Sequence, residues 1–255
     1  TGISLTAKGE MVRGRVRRIL AEVRDLEALA QAGGELLTGE LRLGIIASLA
    51  PYLLPGLLAE LSRAYPRLNV GVRENVTAML ADELARGELD CIVQALPIEQ
   101  KGFESIALCD DPFFLAVPER SAERIASPVS PHQLRGERLI LLEEGHCLRD
   151  QALDVCRIVE SRDLASLGAT SLNTLMRMVA GGLGVTLAPR SALEAEGRAG
   201  GIAFLPFAEP VPSRTLALAF RSSTGRRSDF ERLAEIIRAC LGAGLETDAP
   251  EQAAG

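Results

Sequence analysis

From Leu41 onward, short apolar runs alternate with amphipathic stretches. LRLGII reads as a strand and PYLLPGLLAELSRAYP as a helix closed by Pro66. LNVGVREN is a second strand, TAMLADELARGE a helix that breaks at Gly87, and LDCIVQAL a third strand. Strand–helix–strand repeats of this length predict a parallel sheet with helices on both faces. The pattern then changes. FESIALC, DPFFLAVPE and RLILLEE read as strands with little helix between them. A helix is expected around Arg149–Glu160 and another at SLNTLMRMVAGG. Strands follow at GVTLAP, IAFLPF and TLALAFR, and then an amphipathic helix at RSDFERLAEIIRACLG.

The first residues follow a different rule. In residues 8–32, Val12, Val16, Ile19, Val23, Leu26 and Ala30 recur in steps of four and three, a heptad seam that ends at Gly33-Gly34. The seam is narrow and the polar face wide, so the segment reads as a linker helix for dimerisation rather than a helix packed on its own domain. The expected organisation is α/β. Residues 1–38 form the linker. Residues 39–109 with 215–242 form a first subdomain, 110–214 a second, and 243–255 a small, polar, disordered tail. Two units joined by two crossovers leave a cleft between them, a usual place for a small-ligand site.

Composition removes several classes. Hydrophobic residues make up 47% and charged residues 24% of the 255, near the globular norm, so most of the chain is folded. No stretch approaches the roughly 18 charge-free apolar residues of a membrane helix. A net charge of −6 is a poor basis for gripping phosphates. The absence of Trp, with two Tyr and seven Phe, argues against base-stacking platforms. The N-terminus has no secretory signal pattern, so the expected compartment is the cytoplasm. Two histidines and no CxxC or HExxH leave little for a zinc site; neither metal nor cofactor is expected.

Five cysteines, an odd number, do not make a disulfide scaffold. The informative run is Glu143-Glu144-Gly145-His146-Cys147-Leu148-Arg149-Asp150-Gln151-Ala152-Leu153-Asp154-Val155-Cys156. Gly145 ends a strand-like run and good helix formers follow, which puts Cys147 in a first helical turn, where unpaired N–H groups and the dipole favour a thiolate. His146 and Arg149 stand close enough to add a donor or positive charge. Cys156 comes nine residues later. On one helix the two lie about 13–14 Å apart, so a bond between them requires unwinding and acts as a switch rather than a staple. Cys91, Cys109 and Cys240 read as ordinary buried thiols.

The GHCLRDQALDVC run resembles the redox segment of the peroxide-sensing LysR-type transcriptional regulators. APYLLPGLLAEL, GELDCIVQAL, ATSLNTLMRMVAGGLGVTLAP and FERLAEIIR resemble the same family in the same order, and TGISLTAKGE resembles the end of its winged-helix domain. The resemblance implies two Rossmann-like subdomains resembling a periplasmic-binding-protein fold. It implies that hydrogen peroxide oxidises Cys147, the peroxidatic residue, to a sulfenic acid, and that Cys156, the resolving residue, condenses with it. The refolded segment then alters packing in a homodimer or homotetramer. DNA contact belongs to the winged-helix domain, with RNA polymerase as a partner of the full-length protein and a glutaredoxin- or thioredoxin-type reductant for reset. Such a chain is a sensor, not an enzyme.

The family's peroxide pocket places hydroxyls and an arginine around the thiolate. Ser48, Thr77 and Arg214 stand at the matching positions, with His146, Arg149 and Asp150 from the redox segment. A peroxide needs donors and acceptors to hold it in line, and the departing hydroxide needs a proton or positive charge. Plainer readings stand beside these. Ser48 and Thr77 fit helix N-caps, Arg214 a surface residue, His146 a backbone partner, and Asp150 a first-turn acid. Ser166 replaces a histidine of the best-known members. Rival functions are a metabolite-binding effector domain of the same fold, a thiol peroxidase, and a periplasmic solute-binding protein.

Overall fold

The structure is a computed structural model that describes residues 4–31, 35–98, 100–134, 137–157 and 164–246. The expectations placed on Gly33-Gly34, on residues 247–255 of the tail, and on the side chains of Ala30, Cys156 and Ser166 lie outside the described residues. Residues 243–246, expected to begin the disordered tail, are helical instead, as the last turn of the helix Arg227–Glu246.

Helix α1 (Ala7–Gln31) comes first. Its seam residues Val12, Val16, Ile19, Val23 and Leu26 are all exposed, so within one chain the apolar stripe is not buried. Then follow β1 (Gly39–Ile46), α2 (Ala50–Ala64), β2 (Leu68–Asn75), α3 (Thr77–Ala85) and β3 (Cys91–Ala95). Strand β1 pairs in parallel with β2 on one side and β3 on the other. All five residues of β3 are buried, as its unbroken apolar run requires. Helix α2 buries Leu53, Leu57 and Leu61, spaced one turn apart. Gly44 lets α3 sit close to the sheet: a Cβ there would lie 2.7 Å from Ile92 and Leu89 and 3.0 Å from Leu80.

FESIALC and DPFFLAVPE form one 16-residue strand, β4 (Phe103–Pro118), rather than two. Its first half pairs antiparallel with β9 (Ser213–Arg221), with a register shift between Ala107 and Cys109. Its second half pairs with β7 (Thr186–Pro189) and β8 (Ile202–Pro206). The acidic pair in its middle looks like a break in the sequence. Both carboxylates have partners: Thr215 donates to Asp110 at 2.7 Å, and Arg214 to Asp111. Strand β9 also pairs antiparallel with β3, so the sheet runs β2-β1-β3-β9-β4-β7, with β8 beside β4. The first unit is therefore mixed rather than purely parallel.

The remaining elements are β5 (Leu139–Leu142), α4 (Cys147–Arg157), β6 (Leu164–Ala169), α5 (Leu172–Ala180), α6 (Arg190–Arg198) and α7 (Arg227–Glu246). Strands β5 and β6 pair in parallel. The sequence pattern pointed to neither β6 nor α6. Two buried clusters result. One gathers Leu41, Leu57, Ile92, Leu218 and Phe230; the other gathers Phe113, Leu115, Ile140, Met176 and Leu187. The chain passes from the first to the second within β4 and returns at the start of β9. Among the described residues, no helix is long and apolar enough to cross a membrane.

Candidate functional site

The parallel strands β1, β2 and β3 end on the same edge, and the residues after them gather there, at the carboxyl ends where α/β sheets hold ligands. Ser48 follows β1, Thr77 follows β2, and Gln94 lies near the end of β3. Arg214 reaches the same edge from β9, where the Leu96 N–H donates to the Thr215 carbonyl at 2.9 Å.

Opposite stands α4. Gly145 has a φ of 93°, a left-handed conformation that glycine adopts without strain. That turn aims the chain into the helix. The Arg149 N–H donates to the His146 carbonyl at 2.9 Å, so Cys147 is the first residue of α4. Leu148, Ala152 and Val155, at helical spacing, bury themselves in the second cluster, while Cys147 packs against the first. Its thiol is free and partly exposed. A single helix thus sets its apolar face on one unit and its cysteine against the other.

Between them lies a cleft of about 490 Å³. Thr77, Cys147 and Asp150 line it together, which unites three of the residues read from the sequence. Thr77 is not an N-cap: Val76 takes that position and no side-chain cap bond forms. Instead the Thr77 Oγ1 is buried with no hydrogen-bond partner among the described residues, as are Gln94 Oε1 and Gln151 Oε1 on the same cleft. The two glutamines escaped the sequence reading. Each left a signal: Gln94 interrupts the apolar run CIVQA, and Gln151 lies one helical turn after Cys147.

Among the described residues, Ser48, His146, Arg149 and Arg214 do not form the cleft wall. Ser48 is not an N-cap either, since Leu49 takes that role. The Ser48 Oγ accepts a bond from Arg214 Nη1 at 2.9 Å. Arg214 is itself buried, not a surface residue. Its Nε donates to Asp111 at 3.0 Å and its Nη2 stands 2.9 Å from the same carboxylate. Asp111 also accepts from the Ser191 N–H and hydroxyl, both at 2.9 Å. This chain joins the turn after β1 to the start of α6. The Arg149 guanidinium donates to the Leu142 carbonyl at 2.8 Å and so anchors the helix start to β5. His146 is buried. Burial holds its imidazole below the usual range against the opposing Glu143 carboxylate, so the ring is neutral near pH 7.

A second polar link spans the same two units. Glu196 on α6 is buried and accepts bonds from Tyr52 at 2.8 Å, Asn173 at 3.2 Å and Arg177 at 2.8 Å. Burial first, and that carboxylate second, hold the Tyr52 phenol well above its usual range, so it stays a donor. The other described thiols are poor nucleophiles. Burial pushes Cys91 and Cys240 up and takes Cys109 to about 11. Among the described residues, no three His, Cys, Asp or Glu side chains group as metal ligands.

This arrangement, two α/β units with a free cysteine on the intervening cleft, has relatives. The model of the LysR substrate binding domain matches residues 34–241, and the chain belongs to that family. Within it, the chain is similar to proteins named OxyR. It is 38% identical over 239 residues to the DNA-binding transcriptional dual regulator OxyR of Escherichia coli (strain K12), covering 93% of this chain and 78% of that protein. Full-length OxyR of Pseudomonas aeruginosa, in a form with one cysteine changed to aspartate, superposes with a TM-score of 0.80 at 36% identity. That match covers 94% of this chain and 80% of the other. An H2O2-bound cysteine-to-serine variant of Corynebacterium glutamicum OxyR superposes with a TM-score of 0.79 at 32% identity, covering 95% and 78%. The fold is accordingly that of OxyR regulatory domains and resembles the periplasmic-binding-protein fold. The named relatives are transcriptional regulators, not enzymes.

Proposed function

We propose that this chain is the regulatory part of a peroxide-sensing transcription factor, with Cys147 as the residue that peroxide oxidises. The observation that carries the reading is the position of Cys147: first residue of α4, on a cleft shared with Thr77 and two buried amide oxygens that lack partners among the described residues. First-turn N–H groups stabilise negative charge on the sulfur. Hydrogen peroxide supplies two O–H donors and accepts bonds at both oxygens. It therefore fits the Thr77 hydroxyl and the Gln94 and Gln151 oxygens, which would otherwise be left unsatisfied.

The sulfur attacks one peroxide oxygen in line with the O–O bond. An S–O bond forms, the O–O bond breaks, and the departing hydroxide takes a proton to leave as water. Sulfur loses two electrons and the peroxide gains them. The resulting sulfenic acid condenses with the Cys156 thiol, releasing a second water and forming a disulfide. Ser48 and Arg214 serve this step as positioning residues behind the cleft wall, and Arg149 and His146 by fixing the helix start. A thiol reductant of the glutaredoxin or thioredoxin type returns both thiols. The exposed stripe on α1 is the element that pairs subunits, and the refolded α4 segment changes how they pack as dimer or tetramer. In the full-length protein, that change reaches DNA and RNA polymerase through the winged-helix domain.

The test is peptide mapping by mass spectrometry after brief, near-stoichiometric peroxide treatment with thiols blocked at quenching. A rapid, reductant-reversible Cys147–Cys156 linkage is expected, and Cys147→Ser abolishes it. Random oxidation across the five cysteines, or an unchanged response in Cys147→Ser, sinks the proposal. A metabolite-binding regulator then becomes the better reading, because the cleft is also large enough for an ordinary small-molecule site.

A further inference from the structure

The cleft is much larger than hydrogen peroxide requires. A water molecule's share of liquid is about 30 Å³, and a two-oxygen peroxide needs roughly twice that. The cleft holds about 490 Å³, within the range of pockets that enclose organic ligands. Its chemistry is also one-sided. Three buried polar atoms without partners among the described residues, Thr77 Oγ1, Gln94 Oε1 and Gln151 Oε1, belong to the lining that includes Cys147. Gln94 is only 2% exposed, and a buried amide oxygen of that kind calls for a donor from a ligand. Asp150, Asp154 and Gln100 add further polar groups to the lining, and one stretch of the wall is apolar and built from small or compact side chains: Ala78 and Ala81 on α3, and Leu96, Pro97 and Ile98 after β3.

We infer that the cleft takes organic hydroperoxides, small alkyl or aryl ROOH, in addition to hydrogen peroxide. The inference rests on the peroxide-sensing reading and specifies its substrate class. The single hydroperoxide O–H donates to one of the two amide oxygens, while the R group lies along the alanine and Leu96–Ile98 wall. The Cys147 sulfur attacks the terminal oxygen. An S–O bond forms, the O–O bond breaks, and the electron pair leaves on RO⁻, which takes the proton lost by the thiol. The balance is Cys147–SH plus ROOH giving Cys147–SOH plus ROH, with sulfur oxidised by two electrons.

The experiment uses the reduced chain and measures the rate of Cys147 oxidation by quenched alkylation and intact mass. The oxidants are hydrogen peroxide, tert-butyl hydroperoxide and cumene hydroperoxide, for wild type, Ala78→Leu and Ala78→Phe. Ala78 is exposed on its helix, so both variants fold. Wild type is expected to react with cumene hydroperoxide within about tenfold of its hydrogen peroxide rate. Filling the wall is expected to lower the ratio of cumene to hydrogen peroxide rates stepwise, by about tenfold or more for Ala78→Phe, the range that a few carbons are worth in an apolar pocket. If hydrogen peroxide oxidises Cys147 but the organic oxidants are slower by about a thousandfold, this inference fails and the sensing function stands. A ratio unmoved by both substitutions also overturns it. If no oxidant reacts at Cys147, the sensing function itself fails.

Discussion

Closing a Cys147–Cys156 bond is expected to undock α4, and Leu148→Ala measures how far. Both cysteine positions lie on one 11-residue helix. Nine residues of helix span about 13–14 Å, whereas a disulfide needs Cα atoms roughly 4.4–6.8 Å apart. The helix must therefore unwind, and its apolar face must leave the second cluster. Leu148 is the largest side chain on that face and is 2% exposed. Truncating a leucine so placed costs about 2–5 kcal/mol where it is packed and little where it is in water. The loss then falls on the dithiol form. With about 30 mV per 1.4 kcal/mol for a two-electron couple, the midpoint moves roughly 40–110 mV more negative. Any burial that the residue keeps in the oxidised segment brings the figure toward the lower end. The assay is a redox titration against dithiothreitol or glutathione buffers, read by alkylation mass shift. A shift below about 10 mV, or one toward positive potential, would show that α4 stays docked on oxidation and refute the reasoning.

Three further outcomes are expected. Replacing Arg214 by Met strands the buried Asp111 carboxylate. Breaking such a pair costs about 3–5 kcal/mol, a fall in Tm of roughly 6–20 °C by calorimetry, and Asp111→Asn in the same chain should recover part of it. Because burial lowers the His146 pKa below 6.5, the unfolded chain takes up that proton first as pH falls. The stability gained from the neutral ring is complete above pH 6.5 and declines as pH drops through the lower folded value. Denaturant melts at pH 7 and 5.5 should show a smaller acid loss in His146→Gln. In Gly145→Ala the new Cβ has room, with Val76 Cγ2 nearest at 3.7 Å, so the penalty is the left-handed backbone, about 1–2 kcal/mol. Slower peroxide oxidation of Cys147, followed by stopped-flow, should accompany it, and an unchanged rate would mean that the turn does not aim the helix.

Much of the site was legible because its signals are local. The Gly-His-Cys-Leu-Arg-Asp run states a tight turn and a helix start within six residues, and the alternation of LRLGII, LNVGVREN and LDCIVQAL states a layered sheet. Thr77 and Asp150, both singled out by the family resemblance, line one cleft with Cys147, although the sequence does not choose between a hydroxyl that caps a helix and one that faces a cleft. Gln94 and Gln151 went unremarked because an uncharged amide carries no mark of its role until its neighbours are known. Helix α6 was missed for a related reason. RSALEAEGR is short and looks wholly solvated, yet Ala192 and Glu196 are buried, the latter only because Tyr52, Asn173 and Arg177 converge on it from α2 and α5.

Local sequence, then, determined most of the segments that are helix or strand, where the cysteine-bearing helix α4 begins, and that its two cysteines cannot meet while it stays wound. These follow from neighbouring residues through backbone sterics and helical pitch. Only the tertiary structure decided that β4 runs unbroken past Asp110 and Asp111, since the partners of those acids, Thr215 for the exposed Asp110 and Arg214 for the buried Asp111, lie more than a hundred residues away. It likewise decided that Ser48 and Arg214 sit behind the cleft wall rather than on it, and that polar atoms from α3, β3 and α4 face one space. Whether a buried polar group is satisfied depends on which distant partners the fold brings within about 3 Å, and no local pattern of residues encodes that distance.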